Sequence, residues 1–281
     1  MTEGEQTHMA ERGPEASDTN AIYVYAVCRT EERLDLGGVV GVTEDEPIRS
    51  LAFGPLTAIV QTVRSAEFTD EAWQERLTDE KELERYARSH HAVVSRVAAH
   101  APTVPLPLAT LYNGEDRARL ALNNESARFH TALERIAHHA EWGVKVYAPG
   151  SEPPDGGGED SADPPSAQAD RARPAPGAGR AYLDRKRNLR TRREQRQGDS
   201  LRVAEAVDAD VSRIAKASRR LRPHGQGAAG DRRVQVLNAT YLVPEHRAAE
   251  LDLLARSLRE RTGAEIELSG PWVPYSFVGE V

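Results

Sequence analysis

Two histidine doublets, His90-His91 and His138-His139, are the residues of this chain whose type could hold a metal or carry a proton near neutral pH. Both lie in stretches that read as helix, where neighbouring residues point about 100° apart, so neither doublet can chelate through one face. No HExxH and no CxxC supplies further ligands, and no metal site is expected. The doublets are read as helix-surface or core-edge histidines. The carboxylate pairs (Asp79 with Glu80, Glu44 with Glu46) have no apolar frame, whereas general acid or base work needs a buried, tuned carboxyl. Cys28 is the single cysteine; it excludes an intrachain disulfide, and in AIYVYAVC it reads as a small buried hydrophobe. GGVVG after a strand lacks the spacing that cradles a phosphate, and GxSxG is missing. These residues make no case for an enzyme, a catalytic residue or a cofactor.

Charge is the second kind of chemistry available. Residues 179–196, GRAYLDRKRNLRTRREQR, carry eight bases, including Arg185, Lys186 and Arg187, against two acids. Such a run can neutralise phosphates or dock on an acidic surface, and it can equally be a solvated helix screened by neighbouring acids. The segment just before it, 151–170, holds six acids and no base. With a net charge of -7 and no aromatic platform beside the bases, nucleic acid is not expected as a partner.

The elements that position these residues follow from hydrophobic periodicity. Residues 22–28 are apolar on both alternating sets, which suits a central strand covered on both faces. Runs at 47–53 and 56–63 flank Gly54-Pro55 as a hairpin. A helix is predicted over 79–100, started by Asp79 and Glu82 in capping-box spacing, and another over 115–140. VPLPLATLY between them reads as an extended edge, and EWGVKVYA (141–148) as a strand closing the first domain. Beyond the acidic stretch, apolar steps of three and four predict a long helix over 201–221 that could begin near Gly179. A strand at 234–243, a helix at 245–262 and an alternating strand at 264–268 follow. The expected organisation is α+β: a disordered acidic tail (1–20), an N-terminal α+β domain (21–149), a disordered acidic linker (150–179) and a C-terminal α+β domain (180–281) with the long helix. A turn-rich loop is expected at 223–231. No apolar run is long enough to span a bilayer and no secretory signal opens the chain, so no membrane partner is expected.

Several of these stretches, YVYAV, GPLTAIV, VPLPLATLY, EWGVKVYA, GRAYLDRKR, LNATYLV and GPWVPYSF, occur in the order and spacing of one family. Over residues 20–278 the chain resembles the gas vesicle GvpF/GvpL family. One departure is Leu108-Ala109-Thr110, where many relatives carry Arg-Phe-Gly. The resemblance implies two α+β domains, the C-terminal one ferredoxin-like. It also implies a cytoplasmic, non-catalytic accessory protein of gas vesicle formation, with the main gas vesicle shell protein and other gas vesicle accessory proteins as partners.

The C-terminal SGPWVPYSFV then gains a reading. Gly270-Pro271 should bend the chain after the last strand, leaving Trp272, Tyr275 and Phe277 to pack across the interdomain surface or to anchor a partner. Ile266, on the alternating strand, marks a candidate sheet edge to which an apolar shell subunit could add a strand. Trp272, Tyr275, Phe277, Ile266, Arg185, Lys186 and Arg187 are therefore the candidate partner-binding residues. Two ferredoxin-like units joined by a linker would also suit a small-molecule sensing module, and an RNA-binding role through the basic run is a third reading.

Overall fold

In the computed structural model the described residues are 20–30, 34–44, 46–148, 178–222 and 234–279. The expected acidic tail up to residue 19, almost all of the expected linker and the loop at 223–231 lie outside them, and Asn20, expected in the tail, opens a strand. The chain divides into two units: one runs to His138 and resumes at Val273, and the other is His139–Trp272.

The first unit is built on β1 (Asn20–Cys28), buried on both faces from Ala21 onward as its unbroken apolar sequence requires. β1 lies between β3 (Leu56–Arg64) and β4 (Thr103–Pro105), and its start also pairs β5 (Leu111–Tyr112), all antiparallel. β2 (Ile48–Phe53) pairs β3 as the expected hairpin, closed by Gly54 at φ 56°, a left-handed conformation that glycine adopts without strain. Alternation along β1 sends Ile22 and Val24 into a core with Leu122, Phe129 and Leu133. Tyr23 and Tyr25 enter a second core with Tyr86, Val93 and Val94. A register shift between Val24 and Ala26 resets the alternation, which is why Tyr25 and Ala26 share a face.

Helices supply the covering layers. α1 (Asp70–Thr78), not anticipated from periodicity, starts where Ala72 N–H donates to Thr69 Oγ1. α2 (Glu80–Ala98) begins as expected at Asp79, whose carboxylate accepts from the backbone N–H of Lys81 and Glu82. The Glu82 side chain pairs with Arg85 instead of closing a capping box. The single helix expected over 115–140 is two, α3 (Glu115–Asn124) and α4 (Ser126–Ile136), broken where Glu125 leaves helical geometry. Consequently His138-His139 is not helical: His138 sits at φ 60° and His139 opens a strand.

That strand, β6 (His139–Tyr147), corrects the expected boundary. It does not close the first unit; it pairs β8 (Gln235–Pro244) on one side and β9 (Glu265–Trp272) on the other. The second unit runs β6, α5 (Ala178–Ser212), β7 (Ala217–Arg220), β8, α6 (Ala248–Thr262), β9, with sheet order β7-β8-β6-β9 and every pair antiparallel. This βαββαβ order is ferredoxin-like and needs two strands that the reading after residue 180 did not supply. β6 was assigned to its sequence neighbours, and β7 was hidden in the apolar steps of the helix expected to reach 221. The helix ends at Ser212, and 217–220 turn to pair β8. β6, β8, α5 and α6 bury Val144, Val146, Tyr241, Val207 and Leu251 together. α5 buries nothing before Ala204 among its described side chains.

Candidate functional site

β1 is also the source of the site. Its buried Tyr23 reaches across to α2, where the hydroxyl lies 2.9 Å from His90 Nδ1. The Ala109 N–H donates to the same hydroxyl at 3.2 Å, from a left-handed backbone at φ 62°. Burial pushes the His90 pKa down to about 4, with the His91 charge acting in the same direction and the backbone of Leu106 opposing. The ring is neutral at pH 7.

His90 lines a cleft of about 630 Å³ in the first unit. Its floor is the proline-rich extended stretch at Leu106 and the flank of Tyr112, one wall is Phe129 on α4, and the opposite rim is the C-terminal turn at Tyr275 and Val278. Prolines 105 and 107 keep this stretch extended, as its sequence predicts, and the N–H of Leu106 is engaged by the Tyr25 carbonyl, so the floor offers mostly carbon. At the outer edge Arg128 pairs with Glu125 at 2.9 Å, an exposed ion pair of small energetic weight. Tyr275 lies 5.9 Å centroid to centroid from His91 and within 3.4 Å of its Nδ1. Desolvation pushes the Tyr275 pKa up to about 12, so its hydroxyl stays protonated at physiological pH.

The candidate partner-binding residues separate by burial. Phe277 and Ile266 are core residues, at 4 % and 3 % exposure, and Ile266 packs in the core of the second unit. The Ile266 carbonyl accepts from Arg259 of α6. Trp272, paired with Glu141 at the end of β9, and Tyr275 are exposed at 50 % and 38 %. Lys186 and Arg187 are exposed on α5, and Arg185 lies on the same helix. Gly270-Pro271, expected to bend the chain after the strand, instead lies inside β9 as a cis peptide, with a register shift opposite it. The tail beyond it belongs to the first unit, where Val273 and Val278 pack on the two cores.

Sequence reasoning missed the cleft and the role of His90, which it placed on a helix face without a partner. The signal available was the coincidence of a histidine on the apolar face of α2 with two tyrosines on the buried strand. Cys28 is fully buried as expected, and desolvation pushes its thiol up to about 12. Among the described residues no group of three or more His, Cys, Asp or Glu could hold a metal, and no helix is long and apolar enough to cross a membrane.

An α+β protein with a ferredoxin-like unit and an apolar cleft is the class these observations define. Its fold matches the crystal structures of gas vesicle protein GvpF from Anabaena sp. PCC7120 and from Microcystis aeruginosa. The TM-scores are 0.60 and 0.58; this chain is covered to 94 % and 92 %, and theirs to 98 % and 99 %. At 14 % and 13 % identity that likeness concerns the fold alone. The model of the gas vesicle synthesis protein GvpL/GvpF family matches residues 21–279. Gas vesicle protein L of Streptomyces sp. (strain CB03234) is 37 % identical over 260 residues, 92 % of each chain. The chain belongs to the GvpL/GvpF family.

Proposed function

We propose that this protein is a non-catalytic assembly factor that binds the hydrophobic main shell protein during gas vesicle formation. It would act with other gas vesicle accessory proteins, in the cytoplasm and at the vesicle. Within the family established above, the observation that carries this reading is the pair of exposed aromatics, Trp272 and Tyr275, on a C-terminal segment whose neighbours Pro274 and Phe277 are buried. Large aromatics held at a surface by a packed backbone suit an interface anchor, because little conformational freedom is lost when they are covered. An apolar shell subunit would aggregate when free, and covering it would keep it competent for assembly.

Strand addition at β9 is a second element of the mechanism. β9 is an edge strand, and the Ile266 carbonyl accepts from Arg259, a contact that a partner strand would displace. The basic half of α5, with Arg185, Lys186 and Arg187, is assigned to contacts with acidic surfaces of other accessory proteins.

The test is co-expression with the main shell protein and capture through a tag on this chain. Soluble shell protein is expected to co-purify; Trp272→Ala is expected to lower capture with circular dichroism and the melting profile unchanged, and adding Tyr275→Ala to abolish it while the protein stays folded by circular dichroism. Failure to capture shell protein at any salt concentration would sink direct binding. Arg259→Ala, which exposes the Ile266 carbonyl, should raise capture if strand addition operates.

A further inference from the structure

α5 runs for 35 residues, yet it buries no described side chain before Ala204. Residues 186–192 and 194–197 are all exposed. Over 179–196 the chain carries eight bases against two acids, an excess of six. Glu194 answers Arg190 at 2.9 Å, whereas Lys186, Arg187, Arg192 and Arg196 meet no carboxylate among the described residues. Helical spacing sets these cations against one another: Lys186 and Arg192 each stand four residues before a further arginine, where like charges destabilise a helix. Helices in proteins draw most of their stability from packing, so an exposed stretch with uniform charge gains from a counter-charge supplied from outside it. The polyanion nearest in the chain is 151–170, with six acids and no base, ending eight residues before Ala178.

We propose that the basic half of α5 is an electrostatic docking surface whose occupant is the acidic segment 151–170 of the same molecule. The charges match in number, six in excess on the helix and six on the segment. Reach is ample. The helix rises about 27 Å from Ala178 to Arg196, and the roughly 26 residues from Ala178 back to Glu152 can span up to about 86 Å. A tether this short holds the segment at an effective concentration on the order of 1 mM, which keeps even a weak contact largely formed. The contact is independent of shell binding. It also regulates the surface assigned above to accessory proteins, because an incoming acidic partner must displace the segment; only this regulatory consequence rests on that assignment.

The test uses the full-length protein and, as probe, a fluorescent peptide of sequence 151–170, followed by anisotropy at low salt. In one variant the six acids of the segment become amides: Glu152→Gln, Asp155→Asn, Glu159→Gln, Asp160→Asn, Asp163→Asn and Asp170→Asn. The peptide is expected to bind this variant, whose basic face is uncovered. It should bind the natural protein about ten-fold more weakly, the ratio set by an effective concentration of about 1 mM against a peptide Kd of about 0.1 mM. A second variant neutralises five acids near the N-terminus, Glu3, Glu5, Glu11, Glu15 and Asp18, and controls for net charge; it should behave as the natural protein does. Arg187→Glu with Arg192→Glu, both at exposed positions of α5, should remove binding from the amide variant. The proposal is overturned if the peptide binds the natural protein and the amide variant equally, or binds neither. It is overturned too if the N-terminal variant gains as much affinity as the amide variant, or if the two α5 substitutions leave binding intact. Failure of an accessory protein to bind would remove the earlier assignment and leave this competition unchanged.

Discussion

Lowering the pH from 7 to 5 should weaken the first unit through one residue, His90. In the unfolded chain its pKa is 6.5, and in the fold it is held at about 4, chiefly by desolvation. Above pH 6.5 both states are neutral and the fold keeps its full stability. Below that the unfolded chain takes up a proton that the folded one refuses, and stability falls at about 1.4 kcal/mol per pH unit until the folded value is reached. Between pH 7 and 5 the loss comes to about 2 kcal/mol. The groups that face the ring are the Tyr23 hydroxyl and Tyr25 ring from β1, the Leu106 backbone and His91 on α2. None is an anion that would stabilise the imidazolium. The assay is urea unfolding at the two pH values for the natural protein and His90→Phe, followed by the fluorescence of Trp73, which stacks with Phe68 beside Tyr23. Subtracting the variant cancels the carboxylates, and the natural protein should lose about 2 kcal/mol more, a midpoint shift of roughly 0.7 to 2 M urea. Equal losses in the two proteins, or a His90 ring that titrates near 6.5 by nuclear magnetic resonance, would refute the buried neutral imidazole.

Three further outcomes follow from packing. A Cβ at Gly270 would sit 2.9 Å from the Glu141 carbonyl oxygen and 3.1 Å from the Trp142 ring, at a φ of 138°. Gly270→Ala should therefore cost the second unit about 2 to 3 kcal/mol, seen as a lower melting temperature and faster amide exchange in β9. Buried Gln61 receives the Tyr25 hydroxyl at 2.5 Å and donates to the Thr43 and Glu46 carbonyls. Gln61→Leu leaves those groups open and should cost about 2 to 4 kcal/mol in chemical denaturation. With its thiol pushed up to about 12, Cys28 is thiolate in roughly one molecule in ten thousand at pH 8. Iodoacetamide should spare it in the native protein and label it fully in urea; rapid native labelling would contradict its burial.

What the sequence disclosed depended on how local the governing interaction was. β1, the β2-β3 hairpin and the Asp79 cap were legible because their apolar runs, turn residues and cap spacing act within a few positions. β6 was legible as a strand but not as a member of its sheet, since its partners, β8 and β9, lie about ninety or more residues away. β7 was misread because Val211 and Ile214 continue the helical spacing while the pairing with β8 that overrides it is tertiary. The cleft was invisible for the same reason. It joins α2, the proline stretch, α4 and the C-terminal turn, and its buried histidine, His90, is met by Tyr23 from β1.

The C-terminal aromatics, grouped together by composition, do different physical work. Phe277 is buried in the first unit and Ile266 in the second, so replacing either changes capture of a partner only by weakening the fold. Trp272 keeps a large exposed surface, and its loss should leave stability nearly unchanged, whereas Tyr275 also packs on His91. A scan that reads melting temperature and shell capture side by side should therefore split the segment. Phe277→Ala should lower melting, with a cost of about 3 to 5 kcal/mol for a buried phenylalanine, and Trp272→Ala should lower capture alone. If Trp272→Ala destabilised the protein as much as Phe277→Ala, its exposed ring would be a packing element of the fold, and the surface offered to the shell protein would have to lie elsewhere.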